Sequence, residues 1–260
     1  MKDGKLSRKD DNMFEWNSDQ YLKFKAQRTQ PAIDLAKRVA DVNPKTVLDI
    51  GCGPGNSTAV LKSIFPNAQI TGIDTSQDMI DKAKKTYPDI DFRPGDARDI
   101  SEKYDLLFSN ACLQWIPNHK ELIPYLMSRL NDGGKLAVQI PMNGEEPLFR
   151  IIRDVVSEMS LSNLERQWTL KPDEYYEILS GCSDNFKIWE TVYYHDLPNH
   201  DALLEWVKGT HIRPYLAQFS EADGIEFENE ILKRTKKIYP VMSDGKVILR
   251  FRRFFFTAAK

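Results

Sequence analysis

The chain has 260 residues, enough to bury a large core in one α/β domain with insertions. Its 36 basic and 38 acidic side chains give a formal net charge of −2, which excludes a global electrostatic attraction to nucleic acid. No apolar run is long enough to span a bilayer, and the first residues lack the apolar stretch of a signal peptide, so the sequence predicts no membrane partner.

The first half of the chain predicts a regular alternation of strands and helices. A disordered leader is expected over residues 1–12, followed by a single domain over residues 13–260. A helix over 19–27 is predicted to be interrupted at Thr29–Pro31, and Pro31 can open the next helix. Further along, strands are predicted at 46–50, 69–73, 90–93, 105–109 and 135–140, and helices at 57–65, 77–86 and 119–129. This alternation is typical of right-handed crossovers and a mostly parallel sheet that is covered on both faces.

The second half is less regular and is expected to supply a cap. Helices are predicted at 145–167, 172–180 and 201–239, the last broken near 209–214, and strands at 186–195 and 247–256. The predicted fold is therefore an α/β, doubly wound, seven-stranded, mostly parallel Rossmann-like sheet with a helical cap built from insertions. The core is assigned to about 31–142, 172–195 and 246–258, and the cap to about 17–28, 143–171 and 198–240.

A glycine-dense turn follows the first predicted strand. Gly51, Gly53 and Gly55 permit positive φ and leave no Cβ in the way of a ligand, and the backbone N–H groups of such a turn can face that ligand. A dinucleotide-binding loop needs Gly-x-Gly-x-x-Gly, but the sixth position counted from Gly51 is Asn56. Because Asp49 precedes the alternating glycines, the loop resembles the first motif of the class I S-adenosylmethionine-dependent methyltransferases. An ordinary strand-to-helix turn rarely needs all of these residues.

Polar residues end the neighbouring strands, where open α/β sheets bind their ligands. Asp49 could hold the ammonium group of the cofactor. Asp74 could accept from both ribose hydroxyls, or it could be a charge at a helix N-terminus. Asp96 resembles the acid that accepts from the adenine amino group, with the Ala97 N–H serving the ring, although a solvated turn aspartate is the alternative. Asn110 would flank the methionine portion. With the three glycines, these residues form the predicted cofactor site.

Several longer strings extend the resemblance from about residue 13 through the insertions. They are Trp16-Asn17, Tyr21–Phe24, Arg28–Ala32, Asp49–Thr58, Ser109–Pro117, Tyr193–His195, Glu205–Val207 and Ile212–Leu216. These strings resemble the trans-aconitate 2-methyltransferase family, whereas the segment 143–167 matches that family poorly.

The resemblance implies methylation of one carboxylate of trans-aconitate, or of a similar small polycarboxylate, by S-adenosyl-L-methionine, which leaves S-adenosyl-L-homocysteine. A carboxylate is already ionised at neutral pH and is its own nucleophile. Alignment of the two reactants and exclusion of water would then carry the rate. No catalytic dyad or triad is evident in the sequence, so no catalytic residue is assigned.

The polycarboxylate requires hydrogen-bond donors. The candidates for binding it are Arg213, Arg28, Tyr193, Tyr194, His195, Gln114 and Trp115. The planar fork of Arg213 suits a carboxylate, although a structural salt bridge is an equal alternative, and Arg28 has the same two interpretations. Pro214 is expected to push Arg213 out of the helical conformation. Adjacent strand residues face opposite ways, so residues 193–195 cannot all point at one ligand.

The three cysteines are scattered, which suits reduced thiols in the cytoplasm and predicts no metal site. Other functions stay open on the sequence alone. The chain could methylate an acid bound to an acyl-carrier protein or another small metabolite, or it could bind S-adenosylmethionine without catalysis. Asn56 argues against a nicotinamide dehydrogenase. The oligomeric state is left open.

Overall fold

A computed structural model describes residues 25–159, 161, 167–208 and 211–260, with side chains described from Thr29 onward. The predicted leader over 1–12, the first part of the helix predicted at 19–27 and the side chain of Arg28 lie outside the described residues.

The strands of the described residues form one sheet. They are β1 (Thr46–Ile50), β2 (Gln69–Asp74), β3 (Asp91–Pro94), β4 (Tyr104–Asn110), β5 (Leu130–Pro141), β6 (Phe186–Leu197) and β7 (Val247–Ala259). Their order is β3-β2-β1-β4-β5-β7-β6, with β1 to β5 parallel and β7 antiparallel to both of its neighbours. The strand order reverses between β1 and β4, which is where such sheets bind ligands. The predicted mostly parallel α/β sheet is confirmed.

Helices cover both faces of this sheet and build the cap. The described ones are α1 (Lys25–Arg38), α2 (Asn56–Ile64), α3 (Gln77–Thr86), α4 (His119–Ser128), α5 (Pro147–Glu158), α6 (Pro172–Ser180), α7 (His200–Lys208), α8 (Arg213–Leu216) and α9 (Glu221–Ile238). In the part of the chain that the structure describes, no helix combines the length and the apolar character needed to cross a membrane.

Three local predictions are wrong. Thr29–Pro31 do not interrupt α1, since the helix runs through Pro31; its buried face, which includes Leu35 and Ala36, offsets the one hydrogen bond that proline removes. Arg213 is not pushed out of the helical conformation. It begins α8, where Pro214 sits in the first turn and needs no N–H donor. The strand predicted at 135–140 begins earlier, at Leu130, so residues 131–134 lie within β5 beside a register shift.

Each face of the sheet has its own apolar core. On one face, α1 and α2 pack on Val47, Phe108 and Ala137, together with Phe255 of β7. On the other face, α4 and α6 pack on alternate residues of the same strands. Because strand side chains alternate between faces, each position near the carboxyl ends of the strands can be assigned to one of the two layers.

The cap has a third core. It joins α5, α7, α8 and α9 to the first half of β7, and its members include Phe149, Trp206, Tyr215, Phe227 and Phe251. The insertions therefore do form a helical cap, and β7 connects that cap to the sheet.

Candidate active site

The glycine loop is held in a left-handed conformation at three positions. Gly51, Gly53 and Gly55 have φ angles of +70°, +54° and +90°. A Cβ on Gly51 would lie 2.2 Å from the Cys112 Sγ, so the loop after β4 leaves room only for glycine. A Cβ on Gly53, by contrast, would meet nothing within 4 Å. Gly53 therefore borders open space at the carboxyl end of β1.

The N–H groups of this loop bind protein oxygens. Those of Gly51 and Cys52 donate to the Ile73 carbonyl at 2.8 and 2.9 Å, and that of Gly53 donates to Asp74 Oδ2 at 2.9 Å. For these three N–H groups the prediction that they face a ligand is wrong. The loop packs on the end of β2, where a buried N–H group must be paired, so these three groups are not available as donors to a ligand.

Asp49 is a fully buried carboxyl group at the end of β1, 0% exposed. Its Oδ2 accepts from the hydroxyls of Ser57 and Thr58, each at 2.7 Å, whereas its Oδ1 has no partner. Burial raises the pKa of Asp49 to about 6, although the two hydroxyl bonds oppose that rise and the charge of Asp74 adds to it. An ammonium group at Oδ1 would supply the missing partner.

Asp74 is the last residue of β2, and its carboxylate accepts hydrogen bonds from two backbone N–H groups. Its Oδ2 accepts from Gly53 and its Oδ1 accepts from the Ser76 N–H at 2.9 Å. Burial raises the pKa of Asp74, and the hydrogen bonds from Ser76 and Gly53 oppose the rise. Each carboxylate oxygen can accept more than one hydrogen bond, so Asp74 retains acceptor capacity for ribose hydroxyls.

Both carboxylate oxygens of Asp96 accept hydrogen bonds from the side chain of Arg98. The Nε of Arg98 donates to Asp96 Oδ1 at 2.9 Å, and its Nη2 reaches Oδ2. These hydrogen bonds hold the pKa of Asp96 below its ordinary value, against the effect of partial burial. Ala97 beside it is buried. An adenine amino group would have to share Asp96 with Arg98, or displace it.

The last residue of β4 and the segment that follows it carry more unpaired polar atoms. Asn110 Oδ1 and Gln114 Oε1 are buried without partners, although Gln114 Nε2 donates to the Ala111 carbonyl at 2.8 Å. Ala111 has a φ of +55°, a conformation that costs energy in a residue other than glycine and recurs at functional sites. The Trp168 N–H donates to the Gln114 carbonyl at 2.8 Å and so fixes this segment from the region that precedes α6.

One residue of this set was absent from the sequence-based site. Gln139 of β5 is 0% exposed, and neither its amide nitrogen nor its amide oxygen has a partner. It is the register neighbour of Asn110. The signal available in the sequence was a lone glutamine within the apolar stretch Leu136–Pro141.

Three of the acceptor candidates, Arg213, Trp115 and Arg28, lie outside β6. Arg213 is partly buried, and its Nη1 has no hydrogen-bond partner. Trp115 is 39% exposed beside Gln114. Arg28 lies in α1, and its side chain is outside the described residues.

The strand candidates lie on β6, whose alternation puts Tyr194 on the face opposite to Tyr193 and His195. Tyr193 donates from its hydroxyl to Asp34 Oδ2 at 2.6 Å, so it is held against α1. Tyr194 is 65% exposed on the opposite side of the strand. His195 stacks on Trp206 with ring centroids 4.8 Å apart, and burial, helped by the charge of Arg253, lowers its pKa to about 4. The structure therefore does not bring the three side chains together.

The described ranges show no candidate site for a metal ion. Within them, no group of three or more His, Cys, Asp or Glu residues is placed so that it could hold a metal ion.

Comparison with known proteins agrees with this geometry. A family model described as a methyltransferase domain matches residues 47–134, from β1 into β5. The trans-aconitate 2-methyltransferase of Klebsiella pneumoniae (strain 342) is 40% identical over 250 residues, which cover 95% of this chain and 99% of that protein. The protein of the same name from Escherichia coli (strain K12 / DH10B) is 41% identical over the same shares.

Solved structures support the fold at low sequence identity. The YcgJ protein of Bacillus subtilis aligns with a TM-score of 0.59 and 12% identity, over 88% of this chain and 98% of that one. The plantazolicin methyltransferase BpumL in complex with SAH aligns with a TM-score of 0.52 and 17% identity, over 94% of this chain and 89% of that one.

Proposed function

Because this chain belongs to the trans-aconitate 2-methyltransferase family, we propose that it transfers the methyl group of S-adenosyl-L-methionine to one carboxylate of trans-aconitate or a closely related small polycarboxylate. The observation that carries the proposal is a pair of buried acceptor oxygens, Asp49 Oδ1 and Asn110 Oδ1. Both lack partners, and both lie at the strand-order reversal between β1 and β4.

We propose that these two oxygens receive the ammonium group of the cofactor. A buried carboxylate with one free oxygen is costly, and an arriving cation with three N–H donors removes that cost. Asp74 would accept from the ribose, and Asp96 with Ala97 would meet the adenine ring. Gly53 would face the ligand through the open space in front of it. These residues follow the carboxyl edge of the sheet.

The reaction requires little of the protein beyond positioning the cofactor and the acceptor. S-adenosyl-L-methionine supplies an electrophilic methyl group on a positively charged sulfur. A carboxylate oxygen of the acceptor forms the new bond to carbon while the C–S electron pair goes to sulfur, and no proton moves. The residues around the site therefore act by aligning the acceptor and by excluding water, which agrees with the absence of an evident base.

We propose that Arg213 binds a carboxylate that does not react. Its Nη1 is buried without a partner, and a buried guanidinium donor of this kind is satisfied best by a carboxylate, which can take two parallel N–H bonds. The protein is slightly acidic overall, so a polyanion must be met by such local cations and not by a global field. Tyr193 and His195 are engaged elsewhere, which leaves Arg213 as the stronger candidate among these three.

The test is a methyl-transfer screen over di- and tricarboxylates, with product mass as the readout. A gain of one methylene in trans-aconitate is expected, and binding without any product would identify a cofactor-binding module instead. Arg213→Lys should raise KM for the acceptor while leaving the cofactor affinity unchanged. Arg234→Ala is the matched control, because the donors of Arg234 are held by Glu158 and Glu230 on the cap.

Removal of a distal carboxylate from the acceptor tests the contact itself. The loss should be large for wild type and small for Arg213→Ala, since the partner is already absent in that variant. If both enzymes lose the same factor, Arg213 is structural.

We place the reaction in the cytoplasm, with a small-molecule acceptor and no need for a metal, nucleic acid or membrane. Cys52, Cys112 and Cys182 are free thiols. Burial raises the pKa of each of them, so they stay protonated and unreactive, as suits a reducing compartment.

A further inference from the structure

Gln139 is an unpaired amide in the middle of the sheet. It is fully buried on β5 between Asn110 of β4 and Phe255 of β7, and neither end of its amide has a hydrogen-bond partner. An amide left unpaired away from water costs free energy that an apolar side chain of the same shape would avoid. A ligand that pairs with it would remove that cost.

The alternation of the strands places Gln139 on the same face as the proposed ammonium site. Val47, Phe108 and Ala137 all belong to the core beneath α1 and α2. Two residues further along the same strands come Asp49, Asn110 and Gln139, respectively. Because the side-chain period of a strand is two residues, these three polar groups face the same layer on neighbouring strands.

Their hydrogen-bonding capacities differ in a way that suggests the ligand. The unpaired atoms of Asp49 and Asn110 are oxygens, which accept from an ammonium group. Gln139 also has an unpaired Nε2, which brings two donors to the same row. A carboxylate is the group that such a donor best pairs with in a buried place.

We propose that Gln139 is a carboxylate-binding residue of the active site. This inference rests on the proposed methyltransferase function and deepens it. The carboxylate has two possible sources: the amino-acid end of the cofactor, whose ammonium would lie beside it, or a carboxylate of the acceptor. The chemistry is the same in both cases, and the measured constants distinguish the sources.

The experiment compares Gln139→Leu and Gln139→Glu with wild type in the full chain. Calorimetry gives the Kd for S-adenosyl-L-homocysteine, and initial rates give KM for trans-aconitate at saturating cofactor. Gln139→Leu should weaken one of the two constants by a factor of about 10 to 100, as expected for a lost hydrogen bond to a charged group. Gln139→Glu should weaken the same constant further, through repulsion. Gln69→Leu is the control, since Gln69 is an exposed amide at the amino end of β2.

The outcomes separate a ligand role from a structural one. A changed Kd identifies the cofactor as the source, and a changed KM identifies the acceptor. A Gln139→Leu variant that is equally or more resistant to urea and keeps both constants overturns the inference, because the amide is then a buried group without a ligand. If wild type binds no cofactor or transfers no methyl group, the proposed function fails and this inference fails with it. If wild type does both and Gln139→Leu is unaltered, only this inference fails.

Discussion

Asp49→Asn is expected to make the ligand-free protein more stable and a poorer cofactor binder. Burial raises the pKa of Asp49 from 3.8 to about 6, so the ionised carboxylate destabilises the folded state at neutral pH. At about 1.4 kcal/mol per pKa unit, this shift corresponds to an upper limit of about 3 kcal/mol. Asparagine keeps an oxygen for the hydroxyls of Ser57 and Thr58 and carries no charge. The free energy of unfolding should therefore rise by up to about 3 kcal/mol.

The pH dependence has a definite sign. The pKa of Asp49 is higher in the folded state than in the unfolded state, so its penalty is complete above about pH 6 and disappears as the pH falls towards about 4. Urea unfolding of both proteins without ligand should therefore show the largest difference near about pH 8 and almost none near about pH 4. Calorimetry should show weaker binding of S-adenosyl-L-methionine by about 1.5–3 kcal/mol, through loss of the charged partner of the ammonium group.

Asp105→Asn provides a control of opposite sign. Asp105 is the second residue of β4, away from the site, and accepts from the side chain of Asn131 and from the backbone N–H groups of Thr46 and Lys45. Burial alone would raise the pKa of Asp105, but these bonds together hold it below its ordinary value. This variant should lose stability and keep its cofactor affinity. An Asp49→Asn variant that is less stable than wild type near about pH 8 and binds the cofactor equally well would refute the reasoning.

Three further outcomes are expected. Asp74→Ala should weaken cofactor binding by about 1.5–3 kcal/mol in calorimetry, and tighter binding of NAD than of S-adenosyl-L-methionine would contradict the ribose assignment. With saturating cofactor, the single-turnover rates of wild type and His195→Ala should stay level from about pH 6 to 9; a controlling group near about pH 6.5 that vanishes in the variant would show that a base takes part. In urea unfolding, Gly51→Ala should lower the free energy of unfolding by about 1–3 kcal/mol more than Gly133→Ala does. The reason is that a Cβ at Gly51 meets Cys112, whereas one at Gly133 meets nothing within 4 Å. Equal losses in the two variants would show that the loop relaxes freely.

The sequence predicted what depends on local chemistry. The bounds of α3 came out as predicted, since Ser76 caps its start and Pro88 follows its end. The predictions that failed depended on contacts between distant parts of the chain. The helix around Pro31 is stabilised by tertiary packing, and the N–H groups of the glycine loop are taken by Ile73 and Asp74, more than 20 residues away. Gln139 was missed because its neighbours are set by strand register.

The place of β7 sets an order of events during synthesis. Among the described strands, β6 pairs with β7 alone, yet β7 begins at Val247, about 50 residues after β6 ends at Leu197. The parallel strands emerge from the ribosome with their crossover helices and can assemble as they appear. At about 5–20 residues per second, synthesis of the segment between β6 and β7 takes several seconds. During that time β6 and the cap helices lack the strand that joins them. Nascent chains arrested before Val247 should be cleaved by protease within β6 while β1 to β5 resist. For that interval β6 has no strand partner, and the edge of β5 that later pairs with β7 is also open, so these two strands are the part of the nascent chain most in need of a chaperone.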